Sequence, residues 1–221
     1  MFETSRLTEW LLQNGVSEKV LELLIAVCVL ATIVGIARYI FDSKTYGIYA
    51  PIILAIAYSY TGLKYGLVIT SVVILTSIFS FSILSKIRMH YITRIATNYT
   101  ILAMVLLLLF IVVDRFNLGL DNMVNIPPLA FISIAALSDF FIKQYLKKSF
   151  KGSLLTLFGT ILVATVGWFV ITREIVSGYL LNNLWILPLL TIFNILLGQF
   201  TGLRLKDYFR FSISNKDDIS N

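Results

Sequence analysis

The chain has 221 residues, of which 58% are hydrophobic and 14% charged, with a formal net charge of +6. Its mean hydropathy is +0.87, which excludes a soluble globular domain. Apolar runs near 20 residues separate the charged clusters, and such runs match a hydrocarbon core about 30 Å thick. The composition therefore predicts an all-α, polytopic membrane protein.

The first predicted element is a short amphipathic helix over residues 2–14, where Leu7, Trp10 and Leu11 recur at helical spacing. We expect residues 1–18 to lie in the membrane interface, residues 19–211 to form one seven-helix membrane domain, and residues 212–221 to form a polar cytoplasmic tail. The second predicted span is short, and the seventh contains Pro188. The seven spans are 20–40, 47–61, 65–84, 95–113, 124–142, 153–171 and 179–201.

Basic residues are distributed unevenly over the segments between these spans. If the N-terminus lies outside, five of the 18 lysines and arginines fall in outer segments and 18 − 5 = 13 in inner segments. Cytoplasmic loops of membrane proteins carry an excess of lysine and arginine. The distribution therefore predicts seven spans with the N-terminus outside and the C-terminus inside.

Two proline-headed segments, 46–62 and 122–148, each open one half of the chain. The first contains Pro51 and the second contains Pro127 and Pro128, in spans of opposite predicted direction. Spans two to four and five to seven would then be inverted repeats, an arrangement that places a binding site near the membrane midplane. Proline is also tolerated in membrane helices, so a chance similarity is the other interpretation.

Polar side chains inside the spans are the candidates for a substrate or ion path, together with the three prolines. Apart from Glu22 at the start of the first span, Asp139 is the only acid within a predicted span, and a charge there costs about 2.5–3.5 kcal/mol at mid-bilayer. It is either a functional group for a proton, ion or substrate, or the partner of Lys143 in an interfacial salt bridge, which is the simpler interpretation. Asn98, Asn194 and Gln199 also need partners, which we expect from neighbouring helices.

Catalytic and metal-binding patterns do not occur in the sequence. There is no phosphate-binding loop, no nucleophile elbow, no HExxH and no carboxylate pair. The one histidine, His90, lies in a basic loop, and the one cysteine, Cys28, lies in an apolar run. We therefore expect a protein that is not an enzyme and has no cofactor and no metal.

The basic residues near the predicted inner face are the strongest surface feature. Lys143, Lys147, Lys148 and Lys151 lie at near-helical spacing, and Arg204 follows the last span. The positive-inside rule and the attraction of anionic lipid heads explain most of this cluster. The functional interpretation is a docking face for an acidic partner, an anionic polymer or a nucleotide-using enzyme.

Three stretches, residues 46–67, 128–139 and 196–211, together resemble the seven-transmembrane domain that is usually fused to an inactive transglutaminase-like domain. The most specific part is the pattern G-x-[FY]-T-G-x-R-L at residues 198–205. That family usually has a charged pair before the T-G that closes the second span, where this chain has Ser59 and Tyr60. The run 126–167 is also similar, more distantly, to the C subunit of poly-γ-glutamate capsule synthases.

Both resemblances imply a membrane partner for a cytoplasmic ATP-dependent amide ligase. The ligase would be an ATP-grasp protein in the first case and a Mur-ligase-like protein in the second. We therefore expect a non-catalytic subunit of the bacterial inner membrane that anchors such a ligase and assists synthesis or export of an anionic peptide-like polymer. The expected partners are the lipid bilayer, this ligase and the polymer. The sequence is compatible with an oligomer, and no nucleic acid is expected as a partner.

Two other functions remain open on the sequence. A stand-alone secondary transporter or channel for a small solute would need polar coordination at the midplane of both halves. The spans offer few such groups beyond Asn98, Asn194 and Gln199. A lipid-binding scaffold is the third interpretation.

Overall fold

The computed structural model describes residues 6–115, 128–147 and 150–199. Within these residues all regular secondary structure is α-helical. By length and composition α2, α4, α5 and α7 can each cross a membrane, and α3 and α9 are shorter apolar helices. The helices are α1 Arg6–Gln13, α2 Glu18–Tyr39, α3 Tyr49–Thr61, α4 Leu63–Leu84, α5 Tyr91–Arg115, α6 Pro128–Lys147, α7 Phe150–Ile171, α8 Glu174–Asn182 and α9 Ile186–Gln199.

The seventh predicted span is not one continuous helix, and the prediction is wrong on this point. Residues 183–185 separate α8 from α9. Asn183 ends α8, and its backbone N–H and its side-chain amide both donate to the carbonyl of Tyr179, at 3.1 and 3.0 Å. Pro188 is then the third residue of α9, a position where a helix needs no backbone N–H.

Helix α3 forms the centre of the bundle. Eight of its 13 residues are buried, and it packs against α6, α7 and α4. Pro51 lies in its first turn and cannot donate to the carbonyl of Gly47. The hydroxyl of Thr45 donates to that carbonyl at 2.9 Å instead. A protein hydroxyl thus satisfies the carbonyl that the proline leaves unpaired.

The connection from α2 to α3, residues 40–48, lies against the side of α7. The backbone amide of Tyr46 donates to Oγ1 of Thr160 at 3.0 Å, and its hydroxyl donates to the carbonyl of Ser153 at 2.7 Å. Thr160 is ten residues beyond Phe150, so the connection reaches about 15 Å along α7. Irregular backbone at such depth is tolerated when protein surrounds it. This position of the connection makes α3 short.

The bundle has two chemically different ends. We call one the basic end: it comprises the 40–48 connection, the α4–α5 connection, the C-terminal turns of α6 and the N-terminal turns of α7. Ring contact between Phe81 and Tyr145, with centroids 6.3 Å apart, joins the ends of α4 and α6. Gln144 Nε2 donates to Thr156 Oγ1 at 3.5 Å and joins α6 to α7. The exposed basic residues there are Lys44, Lys86, Arg88, Lys143 and Lys151.

The opposite end carries charges of both signs. Oγ1 of Thr8 on α1 donates to the carbonyl of Leu181 on α8 at 2.6 Å, which fixes the N-terminal helix across this end. Exposed acids and exposed basic residues occur here in similar numbers, so the two signs largely compensate. These charged residues are Glu9, Glu18, Glu22, Lys19, Lys64, Arg115 and Arg173.

Candidate functional site

Asp139 on α6 has a specific partner on α5. The hydroxyl of Tyr99 donates to Oδ2 of Asp139 at 2.8 Å. Oδ1 of the same carboxylate is buried and has no hydrogen-bond partner among the described residues. In the described part of the chain the hydrogen-bond partner of Asp139 is the Tyr99 phenol, and the Lys143 side chain is exposed, so no contact supports the salt-bridge interpretation there. A neutral donor satisfies the oxygen without removing an ammonium group from water.

Asn98 lies beside Tyr99 and is only 2% exposed. Neither its amide nitrogen nor its carbonyl oxygen has a partner among the described residues. The expectation that a neighbouring helix supplies that partner is therefore wrong for this residue. An unpaired buried polar group costs about 1–3 kcal/mol, so native proteins keep few of them.

Two further buried polar atoms lie on α4 and α5. Oγ of Ser80 on α4 and Nε of Arg94 on α5 also lack partners among the described residues. Arg94 is one turn before Asn98, and its guanidinium lies 5.6 Å from the ring centroid of Phe81, the neighbour of Ser80. We call Ser80, Arg94, Asn98, Tyr99 and Asp139 the polar junction. Its members are a cation, an amide, two hydroxyls and a carboxylate on three packed helices, and of these the Tyr99 hydroxyl and the Asp139 carboxylate are in direct contact.

Asn194 has the structural role that we expected for the polar residues within spans. Its amide nitrogen donates to Oγ1 of Thr32 at 2.9 Å, and Thr32 donates to the carbonyl of Cys28 at 3.0 Å. These bonds hold α9 against α2. Gln199 is exposed at the end of α9, and Pro51 is buried in α3.

The predicted path residues do not form one site. Asn98 and Asp139 belong to the α5–α6 side of the bundle, whereas Asn194 joins α9 to α2. Pro127, Lys148 and Arg204 lie outside the described residues, as do the side chains of Pro128 and Lys147.

Sequence reasoning missed Tyr99, Arg94 and Ser80. The signal for the first of these was present, because Thr97, Asn98, Tyr99 and Thr100 are four consecutive residues with polar groups inside an apolar span. Such a run indicates that this part of the helix contacts protein or a polar cavity, but at 3.6 residues per turn its members point to all sides and do not show which of them makes the contact.

The apolar helices, the buried polar junction and the segregated charges define a multi-pass helical membrane protein. A family described as seven transmembrane helices usually fused to an inactive transglutaminase matches residues 6–214. The chain belongs to this family, which confirms the first of the two resemblances and the expectation of a membrane protein of seven transmembrane helices. No curated protein and no solved structure matches the chain.

Proposed function

We propose that the chain is a non-catalytic subunit of a bacterial inner-membrane complex, and that its basic end faces the cytoplasm and docks an acidic partner. The observation that carries this proposal is the charge of that end. Three separate connections bring Lys44, Lys86, Arg88, Lys143 and Lys151 to the same end of the bundle, all exposed. The N-terminus and α1 are then outside. The family description, in which the fused domain is inactive, is consistent with a role other than catalysis.

The basic end suits recognition by long-range attraction. One exposed charge contributes about 0–1 kcal/mol to binding, but several together create a field that steers an oppositely charged partner. By its resemblance, the partner would be an ATP-dependent amide ligase of the Mur-ligase-like or ATP-grasp type. The product would be an anionic peptide-like polymer such as poly-γ-glutamate, which the same positive field attracts. We also propose the more distant relationship to the C subunits of capsule synthases.

Neutralising the basic end tests the proposal. Lys143, Lys147, Lys148 and Lys151 are changed together to Gln, and the tagged native protein is purified in mild detergent and analysed by mass spectrometry. We expect normal insertion, because the other inner basic residues still set the orientation, and loss of the co-purifying partner. High salt should produce the same loss from the unmodified complex.

A matched control removes the same number of positive charges from the opposite end, at Lys19, Lys64, Arg115 and Arg173. This variant should keep the partner at full yield. Retention of the partner by the basic-end variant, at the yield of the unmodified protein, contradicts the docking role.

We propose in addition that α3–α5 and α6–α9 are inverted repeats. The packing of the first two helices in each half supports this. In such a repeat α3 corresponds to α6 and α4 corresponds to α7. The packing of α3 on α7 then corresponds to that of α6 on α4, and the contact of α3 with α4 corresponds to that of α6 with α7; all four contacts are present. The third helices differ, since α5 packs on α4 and α9 on α2. In an experimental structure, Tyr49–Leu84 should superpose on 128–171 by rotation about an axis in the membrane plane. A best fit about the membrane normal refutes the repeat.

The polar junction favours a second candidate function, a stand-alone secondary transporter or channel for a small solute. Buried polar groups within membrane helices are common along transport pathways. Flux of protons, monovalent cations and glutamate into proteoliposomes of the purified protein separates the two functions. A transporter shows flux that Asn98→Leu abolishes, whereas a docking subunit shows none.

A further inference from the structure

A cleft of about 290 Å³ lies between α4 and α6 at the basic end. Its walls include Phe81 and Ser82 from α4 and Phe141 and Tyr145 from α6, and Ser85 lies at its edge. The aromatic residues give the cleft a firm shape: the rings of Phe141 and Tyr145 stack with an interplanar angle of 7°, and Phe81 meets Tyr145 edge to face.

Polarity changes along the cleft. Ser82 and Ser85 are exposed near its outer edge, where α4 ends. Ile78 lines the cleft seven residues before Ser85, which is about 10 Å deeper along the helix. Phe141 and Ile142 are buried on the facing helix. Hydroxyl groups at the edge and apolar groups below fit the headgroup and acyl chain of a membrane lipid.

Cationic side chains flank the cleft. Exposed Lys86 follows Ser85, and exposed Lys143 follows Ile142. The Arg94 guanidinium lies over the Phe81 ring, which forms one wall. No carboxylate lines the cleft among the described residues. Basic pockets between membrane helices bind anionic headgroups, whereas a zwitterionic headgroup brings a cation that this field repels.

We infer that the cleft binds one anionic phospholipid from the leaflet at the basic end. The phosphate lies near the hydroxyls of Ser82 and Ser85, within reach of the Lys86 ammonium group. One acyl chain lies along Ile78 and Phe141. This inference depends on the cleft and on the charges around it, and it holds whether or not the basic end also docks a protein.

The test is lipid retention by the full-length protein. Purified protein in mild detergent is incubated with equal amounts of phosphatidylglycerol and phosphatidylcholine that have the same acyl chains, and bound lipid is counted by native mass spectrometry. The unmodified protein should retain one phosphatidylglycerol in preference to phosphatidylcholine. Lys86→Gln should reduce that preference about threefold, the effect of one partly screened charge. Lys64→Gln, at the opposite end, should leave it unchanged.

A second variant tests the cavity itself. Ser82→Phe should fill the cleft and remove the retained phosphatidylglycerol, while thermal unfolding in detergent reports whether the bundle remains intact. Equal retention of the two lipids by the unmodified protein overturns the inference. So does full retention of phosphatidylglycerol by a folded Ser82→Phe variant. If that variant unfolds, the Lys86→Gln result alone decides.

Discussion

The hydroxyl of Tyr99 donates a 2.8 Å hydrogen bond to Oδ2 of Asp139 and thereby joins α5 to α6. Helix α5 otherwise packs chiefly against α4 and presents much of its apolar surface outward. The Tyr99–Asp139 bond is therefore one of the few polar contacts that fix the position of α5 relative to α6. It also keeps the carboxylate of Asp139 within the polar junction.

Tyr99→Phe should destabilise the protein by about 1–3 kcal/mol, because it leaves a second carboxylate oxygen of Asp139 without a donor. Asp139→Asn should cost less, since the amide oxygen still accepts from Tyr99. Tyr91→Phe is the matched control, because Tyr91 is exposed on the same helix. Denaturant unfolding in detergent measures all three, and equal stability of Tyr99→Phe and Tyr91→Phe contradicts this account of the bond.

Gly159→Ala should displace the 40–48 connection. A Cβ at position 159 would overlap the carbonyl oxygen of Lys44, a backbone atom that cannot rotate away. We expect a loss of about 1–3 kcal/mol in the free energy of unfolding and faster proteolysis near residue 44. Gly198→Ala in α9 is the control, because nothing lies within 4 Å of its Cβ position. It should be neutral or slightly stabilising.

The Asn194–Thr32 bond should contribute a measurable coupling between α9 and α2. Asn194→Leu and Thr32→Val remove the amide donor and the hydroxyl acceptor in turn. A double-mutant cycle of unfolding free energies should give an interaction of about 0.6 kcal/mol, with an upper bound near 1.7 kcal/mol. A coupling of zero would show that the two side chains act independently.

Hydropathy predicted the helices of this fold well because each span must be apolar over about 20 residues. Spans 65–84 and 153–171 both lie within observed helices, α4 and α7. The break at residues 183–185 escaped prediction, because hydropathy is continuous through this run, whereas Asn183 ends α8 with hydrogen bonds from its backbone and side-chain amides to the carbonyl of Tyr179. Hydropathy measures transfer into lipid and does not register such local hydrogen bonding.

The candidate site was predictable only in part. Asp139 and Asn98 stood out as polar residues in apolar spans, and both belong to the polar junction. Their contacts could not be predicted. Lys143 is one helical turn from Asp139 in sequence, whereas the observed partner, Tyr99, is 40 residues away. Which of two donors pairs with a carboxylate depends on how α5 packs on α6, and one sequence does not specify that packing.

The orientation of the bundle in the membrane tests the central claim most directly, because a cytoplasmic partner can use the basic end only if that end is inside. Cys28 is replaced by Ala, and a single cysteine is introduced either at Ser85 in the basic end or at Asn14 near the opposite end, both exposed. A membrane-impermeant maleimide is then added to intact spheroplasts. The account predicts labelling of Asn14→Cys before permeabilisation and of Ser85→Cys only afterwards. Labelling of Ser85→Cys in intact spheroplasts contradicts it.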